Sequence, residues 1–228
     1  MLEKLPDAIG QALDEVRAGL DQTVFHAVDL RQGMAALKLS SLAFVDHGPL
    51  PKQYTADGPG VSPPLAWSGV PAAATEVVLI VEDADSPTPQ PLVHAIAHGL
   101  PASSPASEGA QETGLGAPTE QGIGAIEEAA LSAVGDAEPR VPMGLNSLLQ
   151  GRWLPPDPPP GHGVHRYVFQ LFALGPGDPL PASPGRDALR QAVHERGLAS
   201  GCMIGTYERP STAIAEPHAA TAATGAPA

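Results

Sequence analysis

The chain has 228 residues, with 12 Lys and Arg against 25 Asp and Glu, for a net charge of −13. That balance repels nucleic-acid phosphates and anionic lipid surfaces, so neither is expected as a general partner, although a local pocket can still hold one small anion. A hydrophobic fraction of 43% supports a packed core, and 25 Gly with 27 Pro point to the many turns of an all-β domain.

Leu2, Leu5, Ile9, Leu13, Val16 and Leu20 recur at spacings of three or four. They predict an amphipathic helix within Leu2–Leu37, forming an N-terminal extension over residues 1–38. Its apolar stripe packs on its own domain or makes a homodimer contact. The segment Met1–Leu20 carries Glu3, Asp7, Asp14 and Glu15 and lacks the basic start and apolar stretch of a secretory signal. No apolar run is long enough to cross a bilayer. The single cysteine, Cys202, excludes an intramolecular disulfide and fits a reducing compartment. A soluble, cytoplasmic, non-membrane-spanning protein is expected.

The globular domain is expected over residues 39–209. Leu39–Val45 reads as a strand, followed by turn signals at Asp46–Pro49 and Asp57–Gly60. Glu76–Asp83 (EVVLIVED) and Leu92–Ala97 are strands. Residues 102–140, low in aromatics and rich in Gly, Ala, Ser and Glu, predict a long surface excursion with a short helix at Ile126–Val134. The run Leu154–Pro160 is stiff and extended. His165–Leu174 is a strand, Asp187–Arg196 a helix ended by Gly197 or Gly201, and Cys202–Tyr207 a last strand. The Ala-, Thr- and Pro-rich stretch 210–228 is expected to be a disordered tail.

Three clusters could carry chemistry. Strand alternation puts Val77, Leu79, Val81 and Asp83 on one face, and Asp83-Ala84-Asp85-Ser86-Pro87 then forms a rigid turn. His94, Ile96 and His98 share a face of the next strand. His165, Tyr167, Phe169 and Leu171 share a face of another, so two hydrogen-bonding tips stand over a hydrophobic floor. Arg166 points the other way, as a pairing residue. Taken singly, each cluster fits a structural role.

Together they resemble the phosphatidylethanolamine-binding-protein family, in its bacterial Raf-kinase-inhibitor-like branch. The resemblance rests on Asp83–Pro87 with His94 following, and on Gly161-His162-Gly163-Val164-His165-Arg166-Tyr167 after Pro158-Pro159. Three further stretches fit in order: Tyr54–Gly58 with Ser62–Trp67, Gly144-Leu145-Asn146-Ser147, and Gly201–Tyr207. It implies a large antiparallel sheet packed on a smaller one, with a short helix near the C-terminus. It also implies a non-catalytic pocket for a small anion or phospholipid headgroup, lined by Asp83, His94, His165 and Tyr167 and shaped by Asp85 and Pro87. The alternative is a protein-interaction regulator that inhibits a kinase or protease.

The chain departs from the family at Ala84 and Ser86, where Pro and Ala are usual, which predicts a looser loop. It departs at Val93, in place of an aromatic, and at Asp157, a carboxylate that repels an anion unless turned away. In the pocket, Tyr167 and the histidines can donate hydrogen bonds to an anion. Asp83 can hold a histidine in one tautomer or receive an ammonium. His94, His165, Asp83 and Asp85 are chemically suited to zinc or iron. However, no HExxH or Cys-x-x-Cys spacing supports a metal, no cofactor is implied, and Cys202 reads as an inert strand residue.

Overall fold

The computed structural model describes residues 9, 12, 13, 15–28, 34–102, 122–133, 135 and 137–210. Its organising element is strand β5 (Glu76–Asp83), flanked by β6 (Leu92–Leu100) and β8 (His165–Leu174), both antiparallel to it. Beyond β8 lies β9 (Gly197–Tyr207), and β1 (Ala35–Ala36) and β3 (Gly48–Pro49) each run parallel to β9. These six strands form the large sheet. The small sheet has β4 (Leu65–Val70) between β2 (Lys38–Ser40) and β7 (Gly122–Ile126).

The apolar run of β5 follows from its position, because both faces of the large sheet are covered and a strand buried on both sides needs no polar alternation. Val77, Leu79 and Val81 pack with Tyr167, Phe169 and Leu171 of β8 and with Leu65 and Trp67 of the small sheet. Val78 and Ile80 face the other way. There they meet Phe172 and Leu174 of β8 and Leu189 and Val193 of helix α2 (Arg186–Arg196). Val24, from the one-turn helix α1 (Val24–Ala27), and Val28 join this second core.

The all-β expectation and the two-sheet arrangement therefore hold, and β5 and β8 have the expected limits. Four expectations are corrected. First, the N-terminal helix does not continue to Leu37: Ile9 and Ala12 are helical, the rest of the stripe before Val16 lies largely outside the described residues, and no helix runs through Gly19. A 3-10 turn (Leu20–Gln22) and α1 are separated from the preceding segment by Gly19, whose φ of 102° breaks a right-handed helix. The Ala18 and Gly19 amides instead donate to the Ser86 and Ala84 carbonyls, at 3.0 and 2.8 Å.

Second, the strand expected over Leu39–Val45 stops at Ser40, where the Ser41 hydroxyl donates to the Pro64 carbonyl and the chain leaves the sheet. Third, the excursion contains β7, which completes the small sheet and takes in Ile126, and residues 128–131 form turns rather than a helix. Ile126, Ala130 and Leu131 belong to the core between the sheets. Fourth, the last strand begins at Gly197, so the α2 helix ends there and Gly201 lies within β9. A β-carbon at Gly201 would sit 2.3 Å from the Leu37 carbonyl oxygen, so only glycine lets that segment approach β9. The expected tail beyond Pro210 lies outside the described residues.

A buried polar cluster ties the N-terminal segment to the sheet. Glu82, fully buried, accepts from Arg186 Nε at 2.6 Å, Gln170 Nε2 at 2.8 Å and the Val24 amide at 2.8 Å. Gln170 Oε1 accepts from the Phe25 amide at 2.6 Å. Replacing Glu82 with Ala takes the acceptor from these three donors and the carboxylate partner from the Arg186 charge. Urea denaturation is expected to show a loss of about 3 to 5 kcal/mol, whereas a loss below about 1 kcal/mol would mean the cluster is a solvated accessory.

Candidate functional site

The site forms where β5 ends and β8 begins. The register sets Asp83 opposite Tyr167, and the alternation of β8 puts His165 and Tyr167 on one face. His94 arrives by an irregularity. Val81 pairs with Ala95 and Glu82 with Val93, so His94 is an extra residue bulged out of β6. As a result His94 does not share a face with Ile96, as strict alternation had it. Ile96 lies in the helix-side core, whereas the His94 ring stands edge-on to Tyr167, with centroids 5.1 Å apart, and 6.2 Å from Trp153.

The structure brings Asp83, His94, His165 and Tyr167 together. Asp83 Oδ2 lies 2.7 Å from His165 Nδ1, and its Oδ1 accepts from the Asp85 amide at 2.9 Å. His165 Nε2 lies 2.6 Å from Nδ1 of His162, and His162 Nε2 lies 2.7 Å from the Leu13 carbonyl oxygen. His94 Nδ1 lies 2.6 Å from the Leu154 carbonyl oxygen. Two polar atoms among the four residues are buried with no hydrogen-bond partner among the described residues: His94 Nε2 and the Tyr167 hydroxyl. Burial of a polar group without a partner is costly, so such atoms mark positions for a ligand or water. Burial holds His94 below the ordinary histidine range, against the pull of Asp83. Burial, helped by the Asp83 charge, raises Tyr167 well above the ordinary tyrosine range, so its hydroxyl keeps its proton.

Asp85 and Pro87 belong to the loop rather than the pocket wall. Asp85 accepts from Arg166 Nε at 2.7 Å, Arg166 Nη2 at 2.8 Å and the Arg166 amide at 2.8 Å, and it pairs with Arg17 at 3.2 Å. Burial raises its carboxyl, but these arginine contacts outweigh burial and hold it below the usual carboxylate range. The substituted Ser86 does not leave the loop untied. Its hydroxyl donates to the Asp83 carbonyl at 3.1 Å and accepts from the Leu92 amide at 3.2 Å.

Sequence reasoning missed Arg209, Arg17 and the position of His162. Arg209 forks onto Asp57 at 2.7 and 2.8 Å and also donates to Asp157 and the Pro158 carbonyl. Asp157 is thus neutralised by a cation rather than bare toward an anion. His162 lies within the quoted motif, so its presence was legible, but its link to residue 13 has no local signal.

Among the described residues no group of three or more His, Cys, Asp or Glu is arranged to hold a metal. Both ring nitrogens of His165 are engaged. No helix among the described residues is long and apolar enough to cross a membrane. A separate cleft of about 600 Å³ lies beside Thr88, Val93 and Arg186. The Arg186 guanidinium is engaged by Glu82 and the Gln22 carbonyl, so it leaves that cleft poorly suited to an anion.

Residues 40–208 match the family model described as phosphatidylethanolamine-binding protein, and the chain belongs to that family. A UPF0098 protein of Methanothermobacter thermautotrophicus is 31% identical over 173 residues, covering 76% of this chain and 99% of the relative. One from Mycobacterium tuberculosis is 34% identical over 172 residues, covering 75% and 70%. The crystal structure of a phosphatidylethanolamine-binding-protein homologue from Chlamydia trachomatis matches with a TM-score of 0.59 at 30% identity, covering 76% of this chain and 98% of that one. Escherichia coli YbcL, at 20% identity and a TM-score of 0.61, shares the fold over 76% of this chain and 99% of its own.

Because the Asp85 carboxyl is depressed, its charge stabilises the folded state at neutral pH, and that contribution is lost as pH falls below the ordinary aspartate range. Asp85→Asn is expected to lower the unfolding free energy by about 3 kcal/mol at neutral pH. It should also flatten the loss of stability on acidification. Urea titrations across pH check this; an acid limb as steep as that of the wild type would remove Asp85 from the account.

Proposed function

We propose that the pocket of Asp83, His94, His165 and Tyr167 binds a small phosphate-like anion, free or as a phospholipid headgroup, without catalysing its conversion. The observation that carries this is the pair of unpartnered buried atoms, the Tyr167 hydroxyl and His94 Nε2, on rings 5.1 Å apart. Asp83 orients His165 by accepting from its Nδ1. Burial raises the Cys202 thiol, which makes it a poor nucleophile and supports a binding role over covalent chemistry.

The hydrogen-bond count gives the pocket a sign. The Leu154 carbonyl can only accept, so His94 carries a proton on Nδ1. Burial favours the neutral ring, and Nε2 then presents a lone pair. The site therefore offers one donor, the Tyr167 hydroxyl, beside one acceptor. A fully deprotonated anion is repelled by that lone pair. A proton on Nε2, or on the anion itself, turns the repulsion into a hydrogen bond. Binding is thus coupled to proton uptake, and affinity rises as pH falls.

Calorimetry with inorganic phosphate and with phosphoethanolamine tests this. For phosphoethanolamine, whose dianion has no phosphate proton left, the dissociation constant should weaken by up to about tenfold per pH unit above about 6.5, whereas the inorganic phosphate dianion keeps one proton to donate to His94 Nε2 and should hold its affinity. Buffers of different ionisation enthalpy should show proton uptake approaching one. Tyr167→Phe should weaken binding about tenfold by removing the donor. Equal affinity of phosphoethanolamine at acidic and alkaline pH would refute the proton coupling, and no binding of either compound by the wild type would refute the pocket.

A further inference from the structure

Five side-chain polar atoms are buried with no hydrogen-bond partner among the described residues, and three of them sit on neighbouring rings: the Tyr167 hydroxyl, His94 Nε2 and Trp153 Nε1. His94 is the middle ring, its centroid 5.1 Å from that of Tyr167 and 6.2 Å from that of Trp153. Trp153 is 3% exposed and stacks on Phe169, which shares the pocket face of β8 with Tyr167. The next residue, Leu154, fixes the indole beside His94. Its amide donates to the His94 carbonyl at 2.8 Å, and its carbonyl oxygen lies 2.6 Å from His94 Nδ1. The other two atoms are Trp67 Nε1 and His98 Nε2. The Trp67 indole covers Gly124 of β7, where an added β-carbon would stand 2.6 Å from its Nε1. His98 lies four residues further along β6 than His94, on the order of 13 Å away.

Each of the three rings has a fixed hydrogen-bonding sense. An indole N–H can only donate, and it does not titrate. The Tyr167 hydroxyl keeps its proton and can donate it. His94 Nδ1 needs its proton for the Leu154 carbonyl, and burial keeps the ring neutral against the pull of Asp83 and Asp157, so Nε2 can only accept. The three rings thus combine two donors with one acceptor. A tetrahedral oxyanion meets the donors with two bare oxygens. It meets the acceptor only with an oxygen that carries a hydrogen. Hydrogen phosphate has such an oxygen. Sulfate, of nearly the same shape and size, has none, and sets a lone pair against His94 Nε2.

We propose that Trp153 is the second donor of the site, and that Trp153, Tyr167 and His94 together select a tetrahedral oxyanion that still carries a proton, hydrogen phosphate, over one that carries none, sulfate. This selection rests on the anion-site reading above and adds a residue to it. A site that held its anion by arginine charge would take both ions, because both are dianions. Here Arg209 is held by Asp57 and Asp157, and Arg166 by Asp85, so discrimination falls to the hydrogen-bond pattern. A buried acceptor left facing a lone pair costs the desolvation of that acceptor. A site built to receive a hydrogen therefore rejects the analogue that lacks it.

Calorimetry on the full chain at about pH 8, above the ordinary histidine range, compares inorganic phosphate with sulfate. Sulfate is expected to bind at least about a hundredfold more weakly, and a difference below about tenfold would overturn the selection. Trp153→Phe keeps a ring beside His94 but removes the donor, and should weaken phosphate binding about tenfold. The chain has two tryptophans, so the nitrogen–proton spectrum of labelled protein carries two indole signals. Saturating phosphate should move the Trp153 signal downfield and leave that of Trp67 in place, a split that a purely structural role for Trp153 does not produce. An unmoved Trp153 signal, or a folded variant that binds phosphate as the wild type does, would overturn the second donor. If the variant does not fold, the wild-type signals, assigned through the backbone, decide. Each of these failures leaves the anion site standing, whereas a wild type that binds neither ion overturns the anion site and the selection together.

Discussion

The pleat at the end of β5 sends two neighbouring carboxylates to opposite faces of the large sheet, and both the pocket and the anchoring of the N-terminal segment depend on it. Glu82 turns to the helix side and gathers Arg186, Gln170 and the Val24 amide. Asp83 turns to the side of the second sheet and fixes His165. Both are buried, and a buried carboxylate is tolerated only with partners in place. A one-residue slip of β5 against β8 would exchange the faces and leave both without partners, so the same register that packs the apolar core also assembles the polar site.

The arginines close to the pocket are joined to carboxylates: Arg17 and Arg166 to Asp85, and Arg209 to Asp57 and Asp157. These pairs build the rim. Recognition in the proposed site then falls to a phenol and an imidazole, whose pull on an anion is directional and short-ranged. The chain's net charge of −13 works against an approaching anion at long range. A site of this kind selects by geometry and protonation state more than by field strength.

Much of the fold was legible because β5 and β8 are apolar on both faces and end at charged or turn-forming residues. The pocket motif was legible because Asp83, His165 and Tyr167 follow strict strand alternation. His94 was legible from the resemblance but its face was not, since a bulge reverses it and a bulge has no compositional signature here. Strand β7 was hidden for a packing reason. It crosses the Trp67 indole, and a β-carbon at Gly124 would stand 2.5 Å from that ring. The residue that lets β7 pair with β4 is the one that makes the sequence look like a loop.

The N-terminal segment shows a sharper conflict between local pattern and tertiary context. Its apolar spacing suits a helix, and the Leu13 amide does donate to the Ile9 carbonyl four residues back, yet residues 16–19 leave the helical path. Leu20 packs beside Ala84, Val168 and Ile204, while Val16 remains exposed. The amides of Ala18 and Gly19, which a helix would direct to their own preceding carbonyls, are taken by the Asp83–Pro87 loop. A helix-patterned segment held out of its preferred local structure by a few external contacts stores a local–global disagreement.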